Sequence, residues 1–247
     1  MLKGKVALVT GAAQGMGRGI ALALARKGAD LITSDLQSNS TNMEETIELI
    51  EKYGRQCCAI YANVGDKTEV EQMVAKALGK CGKIDVLVNN AGIDRGNLFK
   101  NIVEKDWDAL LQVNVKGVFF CTQSIAKHMV QRNYGKIINI ASLYGRVGAV
   151  GETTYSTTKA AMLGFTKSVA KELARNNINV NAILPGIVNT PLLEGLPEKF
   201  LRPMIEQVPL GRIAEPEDIG NVAAFLASDE ASYMTGVLVE VTGGWQM

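Results

Sequence analysis

Histidine is almost missing from these 247 residues: His128 stands alone, with only six prolines and four cysteines. One histidine leaves no room for a zinc site built on several imidazoles, and none for a Ser-His-Asp triad placed elsewhere in the chain. No metal is therefore expected. The cysteines are the adjacent Cys57 and Cys58 with isolated Cys81 and Cys121. That spacing is neither a CxxC motif nor a disulfide framework, so reduced thiols and a cytoplasmic setting are the expectation. Charge of one sign is also lacking: 26 Lys and Arg against 25 Asp and Glu give a formal net charge of +1. Without a basic field or a basic patch, nucleic acid is not an expected partner. No apolar run reaches the roughly 18 residues that a membrane span needs. The start, MLKGKVALVTG, passes into a strand-like run without a signal-type apolar region, so no secretory leader is expected.

What is present is an ordinary core-forming composition, 47% hydrophobic and 21% charged. The length suits one large α/β domain over residues 1–247, since single cores of this kind run to about 250 residues. Strand-like runs at Val6–Thr10, Asp30–Ser34, Gln56–Tyr61, Val86–Asn89, Lys136–Ile140, Asn179–Ile183 and Val237–Val241 alternate with helical patterns. The helices are expected at Gly17–Lys27, Met43–Tyr53, Val70–Gly79, Trp107–Arg132, Thr154–Arg175 and Pro216–Ala227. Repeated β-α alternation with Val/Ile/Leu-rich strands predicts a doubly wound parallel sheet of the Rossmann type, covered on both faces. Ligand then binds at the carboxyl ends of the strands, where the strand order reverses. Residues 190–212 break the rhythm with four prolines and many apolar residues, as a substrate lid would.

Two features place a dinucleotide. After the first strand, Gly11, Gln14, Gly15, Met16 and Gly17 fall in a glycine-rich turn that opens into a helix, where backbone N–H groups can approach a pyrophosphate. The second strand ends at Asp35, about eighteen residues past Gly17, at the offset where a carboxylate accepts from both adenosine ribose hydroxyls. Leu36 follows and Gln14 sits in the loop, so neither position offers a 2′-phosphate a counter-charge, and the cofactor expected is NAD. A carboxylate at a strand end can also serve simply to cap a turn.

Tyr155 and Lys159 lie one turn apart on one helix face, and Ser142 lies just beyond the strand Lys136–Ile140. A phenol, an ammonium and a hydroxyl can thus meet at the sheet's carboxyl edge. An ammonium about 4 Å from the phenol is worth roughly 4 kcal/mol at an effective dielectric of 20, enough to bring a phenolic pKa toward neutrality. Tyr155 is then the general acid and base, and Ser142 holds the substrate oxygen.

Together these residues closely resemble the short-chain dehydrogenase/reductase family along essentially the whole chain. TGAAQGMG is similar to its TGxxxGxG loop, Asn89-Asn90-Ala91-Gly92 to its NNAG strand end, and Tyr155…Lys159 to its YxxxK site. The resemblance implies that Ser142 is the catalytic serine, that Asn114 holds a water linking the lysine to solvent, and that Lys159 also bridges the nicotinamide ribose. It implies that the segment Pro185, Gly186, Val188 and Thr190 binds the carboxamide and phosphate end of the cofactor. It further implies strand order 3-2-1-4-5-6-7 and a homotetramer built on the long helices and the last strand. Two departures stand out: Asn63-Val64 replaces the more usual Asp-Val facing the adenine, and Thr242 precedes Gly243-Gly244 where Asp is usual.

The function implied is hydride transfer between NAD(H) and a secondary alcohol or ketone. A second reading is an NADPH-linked reductase of 3-oxoacyl thioesters, because Pro209–Arg212 and Glu215–Ile219 resemble that branch, although Asp35 argues against NADPH. A third is a nucleotide-sensing protein without activity, disfavoured by the complete set Asn114, Ser142, Tyr155 and Lys159. The substrate wall expected is Asp94, Arg95, Leu143, Tyr144, Val147, Val150, Glu152 and residues 190–204, with Arg95 and Glu152 as a solvated rim.

Overall fold

The computed structural model describes residues 1–193 and 198–246. Its strands are β1 (Val6–Thr10), β2 (Asp30–Asp35), β3 (Cys57–Tyr61), β4 (Val86–Asn89), β5 (Gly135–Ile140), β6 (Ile178–Pro185) and β7 (Leu238–Val241). They form one seven-stranded sheet in the order β3-β2-β1-β4-β5-β6-β7, parallel at every pairing, which is the Rossmann-like order expected. The order reverses beside β1, whose Val9 pairs with Thr33 on one side and Val88 on the other.

Apolar side chains leave the central strands on both faces, and helices cover each. Val9, Val88 and Ile138 meet α1 (Gly15–Arg26), α2 (Ser40–Glu51) and α9 (Pro216–Ala227) through Ile20, Leu24, Ile50 and Ile219. Leu8, Leu87 and Ile137 meet α3 (Lys67–Cys81) and α5 (Val118–Arg132) through Met73, Ile125 and Met129. α7 (Thr153–Leu173) completes that face. A buried chain of polar bonds pins it: Asn89 Nδ2 donates to Asn139 Oδ1 at 2.9 Å, and Asn139 Nδ2 to Thr166 Oγ1 at 2.9 Å.

Two expectations about the elements are corrected. The single helix over Trp107–Arg132 is α4 (Glu104–Leu110), a π-helical turn at Leu111–Gly117, and then α5. Apolar spacing does not register the extra residue that a π turn inserts, and such turns concentrate at functional sites. The proline-rich excursion is more regular than expected: a short turn at Pro191–Leu193 precedes α8 (Glu198–Glu206), which carries Pro203 inside it. Residues 194–197 of the expected lid lie outside the described residues. One further short helix, α6 (Tyr144–Val147), leads into α7.

Candidate active site

A groove of about 410 Å³ runs along the carboxyl ends of β1, β2 and β4. Its floor is the turn after β1, where Gly11 (φ +66°) and Gly15 (φ +52°) adopt the left-handed conformation that only glycine takes freely. Gly17 has no room for a side chain: a Cβ there would lie 1.9 Å from the Gly11 carbonyl oxygen. The groove's far side at this point is Thr190 and Pro191. Gln14 precedes α1 without capping its first amides through the side chain, so the helix N-terminus presents its own donors. Donors of this kind beside an open groove fit a pyrophosphate.

The turn is braced from two directions. Asn90 Nδ2 donates to the carbonyls of Thr10 at 3.0 Å and Gly11 at 3.1 Å, while Thr10 Oγ1 accepts from the amides of Asn90 and Ala91. Arg18 donates to the Ala13 carbonyl at 2.7 Å, to the Asn42 carbonyl at 2.9 Å and to Thr46, and it pairs with Glu45 at 2.8 Å. Thr10 and Arg18 are positioning residues that sequence reading missed. Only the pairing of elements in space reveals them.

Asp35 closes the groove's outer end. Its Oδ2 accepts from the Ala13 amide at 3.0 Å, and its Oδ1 from the Leu36 amide at 2.8 Å and Asn39 Nδ2 at 2.7 Å. Leu36, Asn63, Val64, Ala91, Gly92 and Met16 line the same groove. Ser34, Asn39, Ala62, Ile93 and Val113 do too, though none was expected; Ser34, Asn39 and Ala62 are near neighbours of expected residues at strand ends. The Asn63 amide oxygen accepts from the Gly65 amide at 2.9 Å.

A second cavity, about 140 Å³, adjoins the first and holds Ser142 and Tyr155 together with Met16, Asp94, Tyr144 and Thr190. Pro185, Gly186 and Val188 form its β6 side, and Leu193 and Met204 reach it from the expected lid. Trp245, also unforeseen, lies in its wall, with its ring edge-on to Tyr144 at 5.6 Å. A lone tryptophan near the end of a chain carries no motif, so the sequence had no signal for it. Several expected wall residues lie elsewhere. Val150 is 93% exposed, Leu143 is buried in the apolar cluster beneath, and Arg95 is exposed and paired with Asp106. Glu152 is not a solvated rim: it is half-buried against Asp94.

Lys159 and Asn114 stand behind the cavity. Lys159 Nζ donates to the Ile140 carbonyl at 2.9 Å and lies 5.4 Å from the Tyr155 ring centre. Burial pulls its ammonium down to about 8, and the Asp94 carboxylate partly opposes that. Burial, reinforced by Asp94, raises the Tyr155 phenol above its ordinary value, while the hydrogen bond with Ser142 acts the other way. Burial thus acts against the lowering of the phenol that is expected of the Lys159 ammonium. Asn114 Oδ1 accepts from the Ile93 amide, and its Nδ2 donates to the Ile93 carbonyl and to Thr158 Oγ1.

Comparison with known proteins agrees with this geometry. The family described as Enoyl-(Acyl carrier protein) reductase matches residues 11–246. The 3-oxoacyl-[acyl-carrier-protein] reductase of Thermotoga maritima is 43% identical over 243 residues, covering 98% of each chain. A provisionally assigned short-chain alcohol dehydrogenase from Sinorhizobium meliloti 1021 superposes with a TM-score of 0.95 at 38% identity, covering 99% of this chain and 97% of its own. A provisionally assigned 2-deoxy-d-gluconate 3-dehydrogenase from Agrobacterium tumefaciens, with bound NADP, superposes at 0.90 with 36% identity, over 99% and 97%. The chain is an oxidoreductase fold with a nicotinamide-type groove, and it belongs to the short-chain dehydrogenase/reductase family.

Proposed function

We propose that this chain is an NAD(H)-dependent oxidoreductase that interconverts a secondary alcohol and a ketone, with Tyr155 as general acid and base. The observation that carries the cofactor choice is Asp35, a carboxylate fixed by three donors at the groove's outer end. There it can accept from ribose hydroxyls and repels a 2′-phosphate. Arg18, the nearest candidate for a counter-charge, is committed to loop carbonyls and to Glu45. When bound, the cofactor supplies the hydride and, in its oxidised form, a positive charge beside the site.

This chain's residues handle the proton. The Tyr155 phenol donates its proton to the carbonyl oxygen in reduction and accepts it back in oxidation. Ser142 supports the same oxygen as charge develops on it. Lys159 keeps a positive charge behind the phenol below a pH of about 8.

The second reading, an NADPH-linked 3-oxoacyl thioester reductase, is favoured by the name of the Thermotoga maritima relative and by the NADP in the Agrobacterium tumefaciens structure. Initial rates with NADH and NADPH against acetoacetyl thioester and a panel of small ketones decide between them. Faster turnover with NADH on small ketones supports the first reading, and NADPH-linked thioester reduction supports the second.

A homotetramer belongs to the same proposal. Phe99 is 77% and Phe119 41% exposed around α4 and α5, the helices expected to meet a second copy.

A further inference from the structure

Asp94 lies in the wall of the cavity that holds Ser142 and Tyr155, and Glu152 lies directly behind it. Asp94 Oδ1 and Glu152 Oε2 are both shut away from solvent, and no N–H or O–H group of the surrounding residues donates to either. The two carboxyl groups lie close enough to interact directly. Ionised carboxylates only accept, so a hydrogen bond between these two requires one shared proton. Burial and the Asp94 charge raise Glu152 well above the usual carboxylate range, towards holding a proton. Glu152 is also fixed in place: it bridges to Asn97, its carbonyl accepts from the Ser156 amide at 2.8 Å, and a Cβ at Gly96 would come within 2.9 Å of its Oε1.

Trp245, 6% exposed, is a second unpaired group in the same wall, and its indole N–H has no acceptor. Among the described residues lining the cavity there is no Arg or Lys, and the remaining surface is mostly apolar. A cavity walled by a carboxylate, with no cation beside it, matches a neutral polar molecule and disfavours an anionic group near the reacting carbon.

We infer that Asp94, held by Glu152, determines specificity by accepting a hydrogen bond from a hydroxyl beside the reacting carbon, so that the substrate is a small neutral hydroxy ketone or its diol. This rests on the oxidoreductase reading above and names its substrate class.

The test compares 2,3-butanediol with 2-butanol, which lacks the second hydroxyl, by kcat/KM with NAD⁺. Wild type is expected to prefer the diol by about tenfold or more, the scale of one hydrogen bond to a charged group. Asp94→Ala should bring the ratio to about one, while Glu152→Gln should keep the preference, because its amide donates to Asp94 as the protonated acid does. Equal turnover of the two alcohols by wild type, or a preference that survives Asp94→Ala, overturns the inference. Infrared difference spectra at pH 7 give a readout free of turnover: wild type should show a protonated carboxyl that Glu152→Gln removes. Two ionised carboxyls in wild type would overturn the pair. If no alcohol or ketone reacts with either cofactor, the oxidoreductase reading fails, and the infrared result still decides whether the pair shares its proton.

Discussion

Asn114 grips the backbone of Ile93 from both sides: its Oδ1 accepts from the Ile93 amide at 2.8 Å, and its Nδ2 donates to the Ile93 carbonyl at 2.9 Å. The same Nδ2 reaches Thr158 Oγ1 at 3.1 Å on the helix that carries Tyr155 and Lys159. One side chain in the π turn thus sets the strand end that lines the groove against the catalytic helix. Asn114→Leu leaves the part-buried amide and carbonyl of Ile93 unpaired, at about 1–3 kcal/mol for each group and so roughly 2–6 kcal/mol together. Chemical denaturation should show a loss within that range, with turnover falling about tenfold or more. Unchanged stability would mean that water takes over both groups.

Lys159 is destabilising at neutral pH. Its ammonium titrates at about 8 in the fold against 10.5 ordinarily, so between those values the unfolded chain binds more protons and stability from this group rises with pH. Below about 8 the full penalty applies. Its hydrogen bond to Ile140 offsets part of that. Lys159→Met should therefore gain on the order of 1–2 kcal/mol at pH 7, shrinking towards pH 10, while activity is lost. Denaturant midpoints at the two pH values check this. A gain that does not depend on pH would point to packing instead.

Tyr155→Phe deletes only the hydroxyl in the second cavity. Turnover should fall by about a hundredfold or more, while NADH affinity stays within a few-fold. Stopped-flow hydride transfer and fluorescence titration separate the two quantities. Substantial remaining turnover would mean that another group supplies the proton.

The strands and the glycine turn were legible in the sequence because each rests on local rules, a run of Val, Ile and Leu or a backbone that only glycine fits. Tyr155, Lys159 and Ser142 were legible for the same reason: helical spacing and a strand end bring them together. What escaped depends on contacts between distant segments. The clamp by Arg18, the wall position of Trp245 and the burial of Glu152 against Asp94 each join segments far apart in the chain, while the π turn at Leu111–Gly117 adds a residue that apolar spacing does not register. The pKa of Tyr155 belongs with them. Spacing shows that an ammonium is near, but the burial that acts against it is set only by the fold.

Assembly is a separate matter. Light scattering at micromolar concentration should give a tetramer mass, and Phe119→Glu should lower it by placing charge on an exposed apolar position. A monomer mass for wild type would contradict the expected interface.

The most direct test of the account is the ratio of kcat/KM for NADH to that for NADPH, measured with one working ketone at fixed ionic strength, because the repulsion is partly screened by salt. Asp35 at the ribose end of the groove predicts at least a tenfold preference for NADH, about 1.4 kcal/mol. Asp35→Ser should narrow the ratio, and adding Leu36→Arg should narrow it further by supplying the missing counter-charge. Equal efficiency with the two cofactors, or a preference for NADPH, would contradict the role given to Asp35 and leave the 3-oxoacyl thioester reductase as the better reading.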